Sequence, residues 1–145
     1  MADAVPQNFS NHGRLDPTFH FFVLPVFAVT LIATIIHLVR RPGLHSAWLV
    51  VFMVAAIVAH FKIRLYTLKV QDRVIRLEER LRLATLLDPT LRPRIAEFTE
   101  AQLIALRFAS DAELPALAAR ALNEKLSAPD IKKAVQHWRP DYWRV

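Results

Sequence analysis

Six histidines and no cysteine are what this sequence offers to a metal ion or a haem. His12, Asp16 and His20 recur at four-residue intervals, the spacing that would line imidazole and carboxylate donors along one helical face. Gly13 and Pro17 interrupt such a helix, and Asp16 before Pro17 reads as an N-cap followed by a first helical residue. The expectation is therefore a cap and no metal site. His20 and His60 lie at one end of two apolar runs and His37 and His45 at the other, two pairs that could serve as axial haem ligands. None lies in the middle of a run, where an ionisable side chain would more strongly imply function. They are read as interfacial histidines, with a cofactor-binding (haem) or transport subunit as the alternative. No nucleophile beside a base, no paired acids and no redox motif appear, and two glycines leave little from which to build a phosphate-cradling loop. The sequence predicts a non-enzymatic chain, with no catalytic residue, cofactor or small-molecule substrate.

The elements that carry these residues are long and apolar. Thr18 to Val39 holds no Asp, Glu, Lys or Arg in 22 residues, about 33 Å as a helix, which is enough to cross a bilayer core. Leu44 to Phe61 is equally free of those residue types, and Ile63, Leu65 and Tyr66 extend it while Lys62 and Arg64 snorkel outward. In hydrocarbon every backbone polar group must be paired internally, so two spans so closely joined form an antiparallel helical hairpin. HLVRRPGLHSAW, His37 to Trp48, is its turn: Pro42 and Gly43 stop the first helix and allow the reversal. Uncharged runs of this length rarely serve a small soluble core, so the soluble alternative is set aside. The opening MADAVPQNFSNHGRLDP has one Arg against two Asp and does not resemble a cleaved signal, so the first span is expected to be retained. A transport path would have only Thr18, Thr30, Thr34 and Ser46 besides the histidines, and two helices alone enclose no pore. Pro25 is expected to make a local bend.

Charge points the same way. Of the net +6, residues 1–61 contribute +1 and residues 62–145 contribute +5. Residues 62–94 carry nine basic and four acidic groups, whereas residues 95–145 carry seven of each. The excess thus lies beside the apolar runs, where Arg40, Arg41, Lys62, Arg64, Lys69 and Arg73 are expected to meet lipid headgroups. Arg14, Lys62, Arg64, Lys69, Arg73 and Arg76 outnumber Arg40 and Arg41, which puts both termini in the cytoplasm. Lys132, Lys133, His137 and Arg139 resemble a helix-turn-helix surface only loosely, and a distal domain of zero net charge argues against nucleic acid.

From Lys62 to Leu87 there is no Pro or Gly, and Ile63, Val70, Val74, Leu77, Leu81 and Ala84 form a heptad seam. The seam has two readings: packing against the chain's own C-terminal domain, or a dimeric coiled coil. Asp72 with Arg76 and Glu78 with Arg82 are i,i+4 pairs in the favourable order. DPTLRP then breaks the helix. Three start signals follow: Thr99 with Gln102, flanked by Phe98 and Leu103; Ser110 with Glu113; and Ser127 ahead of Pro129 and Asp130. Leu114, Leu117, Ala118, Ala121 and Leu122 form one apolar stripe, and Ile131, Ala134, Val135 and Trp138 another. So small a bundle buries little by itself. Trp138, Tyr142 and Trp143, with Arg139 and Arg144, are residue types enriched at interfaces, and they either fold back onto the bundle or meet a partner.

QNFSNHGRLDPTFHFF, AQLIALRFASDAELPALAARAL and IKKAVQHWRPDYWRV resemble an uncharacterised bacterial family of small two-span membrane proteins, known only as a domain of unknown function. The resemblance implies bacterial origin and a shared architecture, and brings no activity with it. The resulting expectation is all-α: a polar segment at 1–17, a first transmembrane helix at 18–39, a tight turn at 40–43 and a second span continuing as a basic amphipathic helix over 44–87. A Pro-containing linker at 88–97 then leads to a small three-helix cytosolic bundle and aromatic tail at 98–145. Its partner contacts would be Val70, Val74, Leu77, Leu81, Trp138, Tyr142 and Trp143. The function expected is a membrane-anchored interaction or scaffold protein, an accessory subunit of a bacterial inner-membrane assembly and a homo-oligomer or part of a larger complex.

Overall fold

The computed structural model describes residues 6–11, 13 and 16–141, and these are all-helical. His12, Arg14, Tyr142, Trp143 and Arg144 lie outside the described residues, and with them part of the histidine triplet and of the aromatic tail. Contacts divide the chain into two units, residues 16–68 on the one hand and residues 6–13 with 69–141 on the other.

In the first unit α1, Thr18–Arg40, and the leading part of α2, Leu44–Leu86, are both long and apolar enough to cross a membrane. α1 starts where the Asp16 carboxylate accepts the N–H of Phe19 at 3.1 Å and its carbonyl accepts the N–H of His20 at 3.0 Å. Thr18–Val23 is a π-helix, in which the N–H of Leu24 reaches five residues back to the carbonyl of Phe19. Pro25 follows at once. Its missing N–H and its crowding of the preceding turn favour this loosened geometry, so the bend takes the form of a widened turn. Phe19 stacks on His60 at 5.3 Å and meets Phe61 edge-on at 6.0 Å, so the start of α1 lies against residues 60 and 61 and the two helices run antiparallel.

The reversal depends less on glycine than the sequence suggests. Gly43 has no positive φ, and a Cβ there would meet only the Ser46 hydroxyl at 3.9 Å. It is Ser46, buried at the turn, whose hydroxyl lies 2.8 Å from the carbonyl of Arg41 and 2.9 Å from that of Gly43. Pro42 stops α1, and Ser46 satisfies a carbonyl that the stop leaves open.

The second unit holds the rest of α2 and three short helices, α3 (Glu100–Leu106), α4 (Leu114–Asn123) and α5 (Ala128–Ala134). The expected linker is itself structured. Asp88 accepts the N–H of Thr90 at 2.9 Å, which with the Thr90 hydroxyl holds its carboxyl below the usual carboxylate value, and a 3-10 helix follows over Arg92–Glu97. Arg94 ties that turn to Glu97 and, at 3.0 Å, to Asn123 at the end of α4.

Each start signal is used. Thr99 and Gln102 form a full capping box; Ser110 and Glu113 exchange bonds of 3.0 and 3.4 Å; and Ser127 accepts the N–H of Asp130 at 3.3 Å. Helix α4 ends without a glycine. Lys125 takes φ 51°, and the N–H of Leu126 closes the turn onto the carbonyl of Ala121 at 3.1 Å. A left-handed conformation costs a side-chain-bearing residue roughly 1–2 kcal/mol. Lys125→Gly is therefore expected to raise the unfolding free energy by about 1 kcal/mol, and Gly43→Ala to leave it nearly unchanged, both read from thermal melts in detergent.

Candidate functional site

The residues of α2 beyond the hairpin present two apolar rows at different periods. Ile75, Glu79, Leu83 and Leu87 recur at every fourth position and are all buried, none more than 7% exposed. Rows of this kind are the ridges that one helix inserts between the side chains of others. Leu83 and Leu87 belong to one core with Leu103, Leu106, Phe108, Leu114, Ala118 and Ile131.

Val70, Val74, Leu77 and Leu81 alternate at four and three and remain 49–62% exposed. The bundle is therefore completed by the fourfold row and not by the heptad seam, which corrects the reading that seated it on Val70, Val74, Leu77 and Leu81. The sequence reading found the heptad seam alone and passed over the bundle's own row.

The helical ion pairs also change partners. Arg76 joins Glu100 at the start of α3, and its Nε donates to the carbonyl of Asp72 at 3.2 Å. Arg82 leaves Glu78 aside: it reaches Glu79 at 3.1 Å, the Asp111 carboxylate at 2.6 Å and the carbonyl of Ala109 at 2.6 Å. A planar guanidinium with several donors suits this three-way contact.

Glu79 is the one polar residue of the buried row, 3% exposed, with Arg82 on one oxygen and Arg139 at 3.6 Å from the other. Sequence reading did not single it out, although its spacing of four from both Ile75 and Leu83 was the available signal. Together with Arg107, which pairs with Asp141 at 3.4 Å, these groups line an open cleft of about 800 Å³. Arg82, Arg107 and Arg139 are each paired with a carboxylate of its lining, so its chemistry is that of a structural ion-pair network.

Trp138 is half-buried, its ring centroid 4.9 Å from that of Phe108. The N–H of Arg139 donates to the carbonyl of Phe108 at 2.7 Å, and the N–H of Ser110 to that of His137 at 3.1 Å, so the segment after α5 folds back along residues 108–110. Glu113 binds this return: besides accepting the N–H of Ser110, its carboxylate accepts the N–H groups of Gln136 and His137 at 3.1 and 3.3 Å.

The hairpin histidines stay in two places. His20 donates from Nδ1 to the carbonyl of Asp16 at 2.7 Å, and the His60 ring lies between Phe19 and Phe27, with its Nε2 buried and unbonded. His37 and His45 are exposed, in the last turn of α1 and the first of α2. Among the described residues no three His, Asp or Glu side chains converge as metal ligands would. Thr30 and Thr34 give their hydroxyls to carbonyls of their own helix at 2.7 and 2.8 Å. Of the expected headgroup contacts, Arg40, Arg41, Lys62, Lys69 and Arg73 are exposed. Arg64 instead turns back, 3.7 Å from the Asp16 carboxylate and 5.4 Å from the centre of the Phe19 ring.

Among known proteins, residues 1–145 match a family described as a family of unknown function, DUF6526. No curated protein and no solved structure matches the chain.

Burial pushes the Glu79 carboxyl above its ordinary value of 4.5, and Arg82 and then Arg139 pull it only part of the way back, with Glu78 adding to the rise. The folded state thus holds this proton longer than the unfolded state, so the site loses stability as pH rises from about the unfolded value through the folded one. Gln resembles the protonated acid. Glu79→Gln should therefore match the parent in acid and become the more stable of the two above that window, measured as the difference between their denaturation midpoints across a pH series.

Proposed function

The chain belongs to this family of unknown function, and we propose from its own residues that it is a non-enzymatic, membrane-anchored interaction or scaffold protein, an accessory subunit of an assembly in a bacterial inner membrane. The observation that carries this reading is the uncovered stripe Val70, Val74, Leu77 and Leu81. A chain that already fills its core with a different row of the same helix has no internal use for four more large apolar side chains in water. The supply of binding surface exceeds what folding needs.

Anchoring is supported by the two long apolar helices and by the basic residues that follow them. A further support comes from the ends of the described chain. Gln7 and Asp141 hold each other through bonds of 3.2 and 2.9 Å, which suits segments lying on one side of a membrane. Two crossings give that parity. The charge count puts that side in the cytoplasm, with Arg40 and Arg41 at the opposite surface. The exposed Lys62, Lys69 and Arg73 then lean on anionic headgroups, at about 1 kcal/mol for each charge near the surface.

Two measurements test this. Because the chain has no cysteine, a single Gly43→Cys should react with an impermeant thiol reagent only from outside the cytoplasmic membrane; labelling only from within would reverse the topology. Changing Val74 and Leu77 together to Asp should leave the unfolding free energy within roughly 0.5 kcal/mol, since both are exposed, yet strip the proteins that co-purify from native membranes. A large loss of stability with no loss of partners would make the stripe part of the fold and end the interaction reading.

A further inference from the structure

The interaction reading leaves the occupant of the stripe open, and the following inference rests on it. We propose that the stripe is covered by a second copy of this chain, in a parallel, in-register two-stranded coiled coil over residues 63–84.

Three observations on the one helix point to that occupant. The first is spacing. Ile63, Val70, Val74, Leu77, Leu81 and Ala84 keep the 3.5-residue repeat at which two helices supercoil and interlock, with Thr67 filling the remaining seam position. Val74 and Leu81 then stand at a, and Val70, Leu77 and Ala84 at d. A surface made for an irregular partner has no reason to keep this period. A second copy keeps it by symmetry.

The second is charge. In that register Arg73 and Arg80 fall at g, and Gln71, Glu78 and Thr85 at e. Two parallel helices set each g residue opposite the e residue five positions further along its partner, which brings Arg73 to Glu78 twice. Reversing one helix sets g against g and faces Arg73 with Arg80 instead. The parallel arrangement is also the one that two copies anchored by the same hairpin in one membrane adopt. Confinement to that plane raises their effective concentration, which offsets the shortness of a three-heptad seam.

The third is what the chain keeps clear. Its own bundle packs on Ile75, Glu79 and Leu83, which are positions b, f and c on the outer side of such a pair, and Arg76 at c reaches Glu100. Nothing at a or d is buried: Val70, Val74, Leu77, Leu81 and Ala84 are all exposed. Val74 at a and Gln71 and Glu78 at e border the cleft that Arg107, Arg139 and Asp141 also line, yet Val74 stays 49% exposed, so two copies can close on the seam with each bundle on the outer side.

The absence of native cysteine gives a direct test on the full chain in its membrane. Val70→Cys and Leu81→Cys, each alone, should give a disulfide-linked species of twice the chain mass under mild oxidation, while Lys69→Cys, at position c, should not. In a reversed pair position 70 would face position 81, so neither single variant would link, and only a mixture of the two would. Arg73→Glu should lower the linked fraction severalfold, and adding Glu78→Arg should restore it. All these side chains are exposed, so loss of folding is not a competing explanation, and a melt of each variant checks this. Linking only in the mixture, or equal linking at 69, overturns the parallel coiled coil. If a thiol-reactive cross-linker at position 70 captures a protein of another mass and never a second copy, this inference fails while the interaction reading stands. If nothing is captured and the Val74 and Leu77 replacements change no partner, both fail.

Discussion

Leu83 and Leu87 close the core of the C-terminal bundle, and without them the other helices would have little to fold around. Helices of seven, ten and seven residues are too short to hold themselves in water, and their start signals only fix where each begins. The apolar side chains of α3, α4 and α5 gain from burial because the end of α2 covers them. That contact needs an unbroken helix only where the row runs, and residues 75–86 carry no Pro or Gly. It also explains why a carboxylate is tolerated in the buried row. Glu79 sits where the ridge passes beneath Arg82 and Arg139, and Arg82 is itself held by the Asp111 carboxylate and the carbonyl of Ala109, so the charge is surrounded rather than stranded.

The same contact divides α2 into faces. A row at every fourth residue drifts around the helix relative to one at three and a half, so the two share the helix without sharing side chains. Packing on the first leaves the second in water. The exposure of the seam is thus a product of the fold and not a gap in it, and the tertiary ion pairs of Arg76 and Arg82 hold the division in place from both sides.

Much of this was legible. Absence of charge located the two long helices, Pro42 located the turn, and Thr99 and Ser127 located the starts of α3 and α5, because in these cases the signal and its physical cause lie within a few residues of one another. What the sequence did not yield is what depends on distant partners. Residues 70–87 contain two apolar rows, and period alone does not say which one meets the bundle. Arg76 and Arg82 have well-spaced acids in their own helix and still turn to Glu100 and Asp111, since a carboxylate beside a second element also fixes that element's position. The end of α4 carries no glycine to mark it; Lys125 takes the left-handed conformation because Leu126 must return to the core. Glu79 drew no notice in a basic helix, and only the assembled bundle buries it.

The pairing of Gln7 with Asp141 joins residues 134 apart in sequence. Closing a loop of that length in an open chain costs several kcal/mol of entropy, and two neutral hydrogen bonds repay about 1 kcal/mol each. They cannot draw the segments together by themselves; they form once the rest of the fold has brought residues 7 and 141 close. In kinetic terms the clasp is a late event in folding and an early one in unfolding, so hydrogen exchange at the Asp141 amide would time the completion of the whole chain.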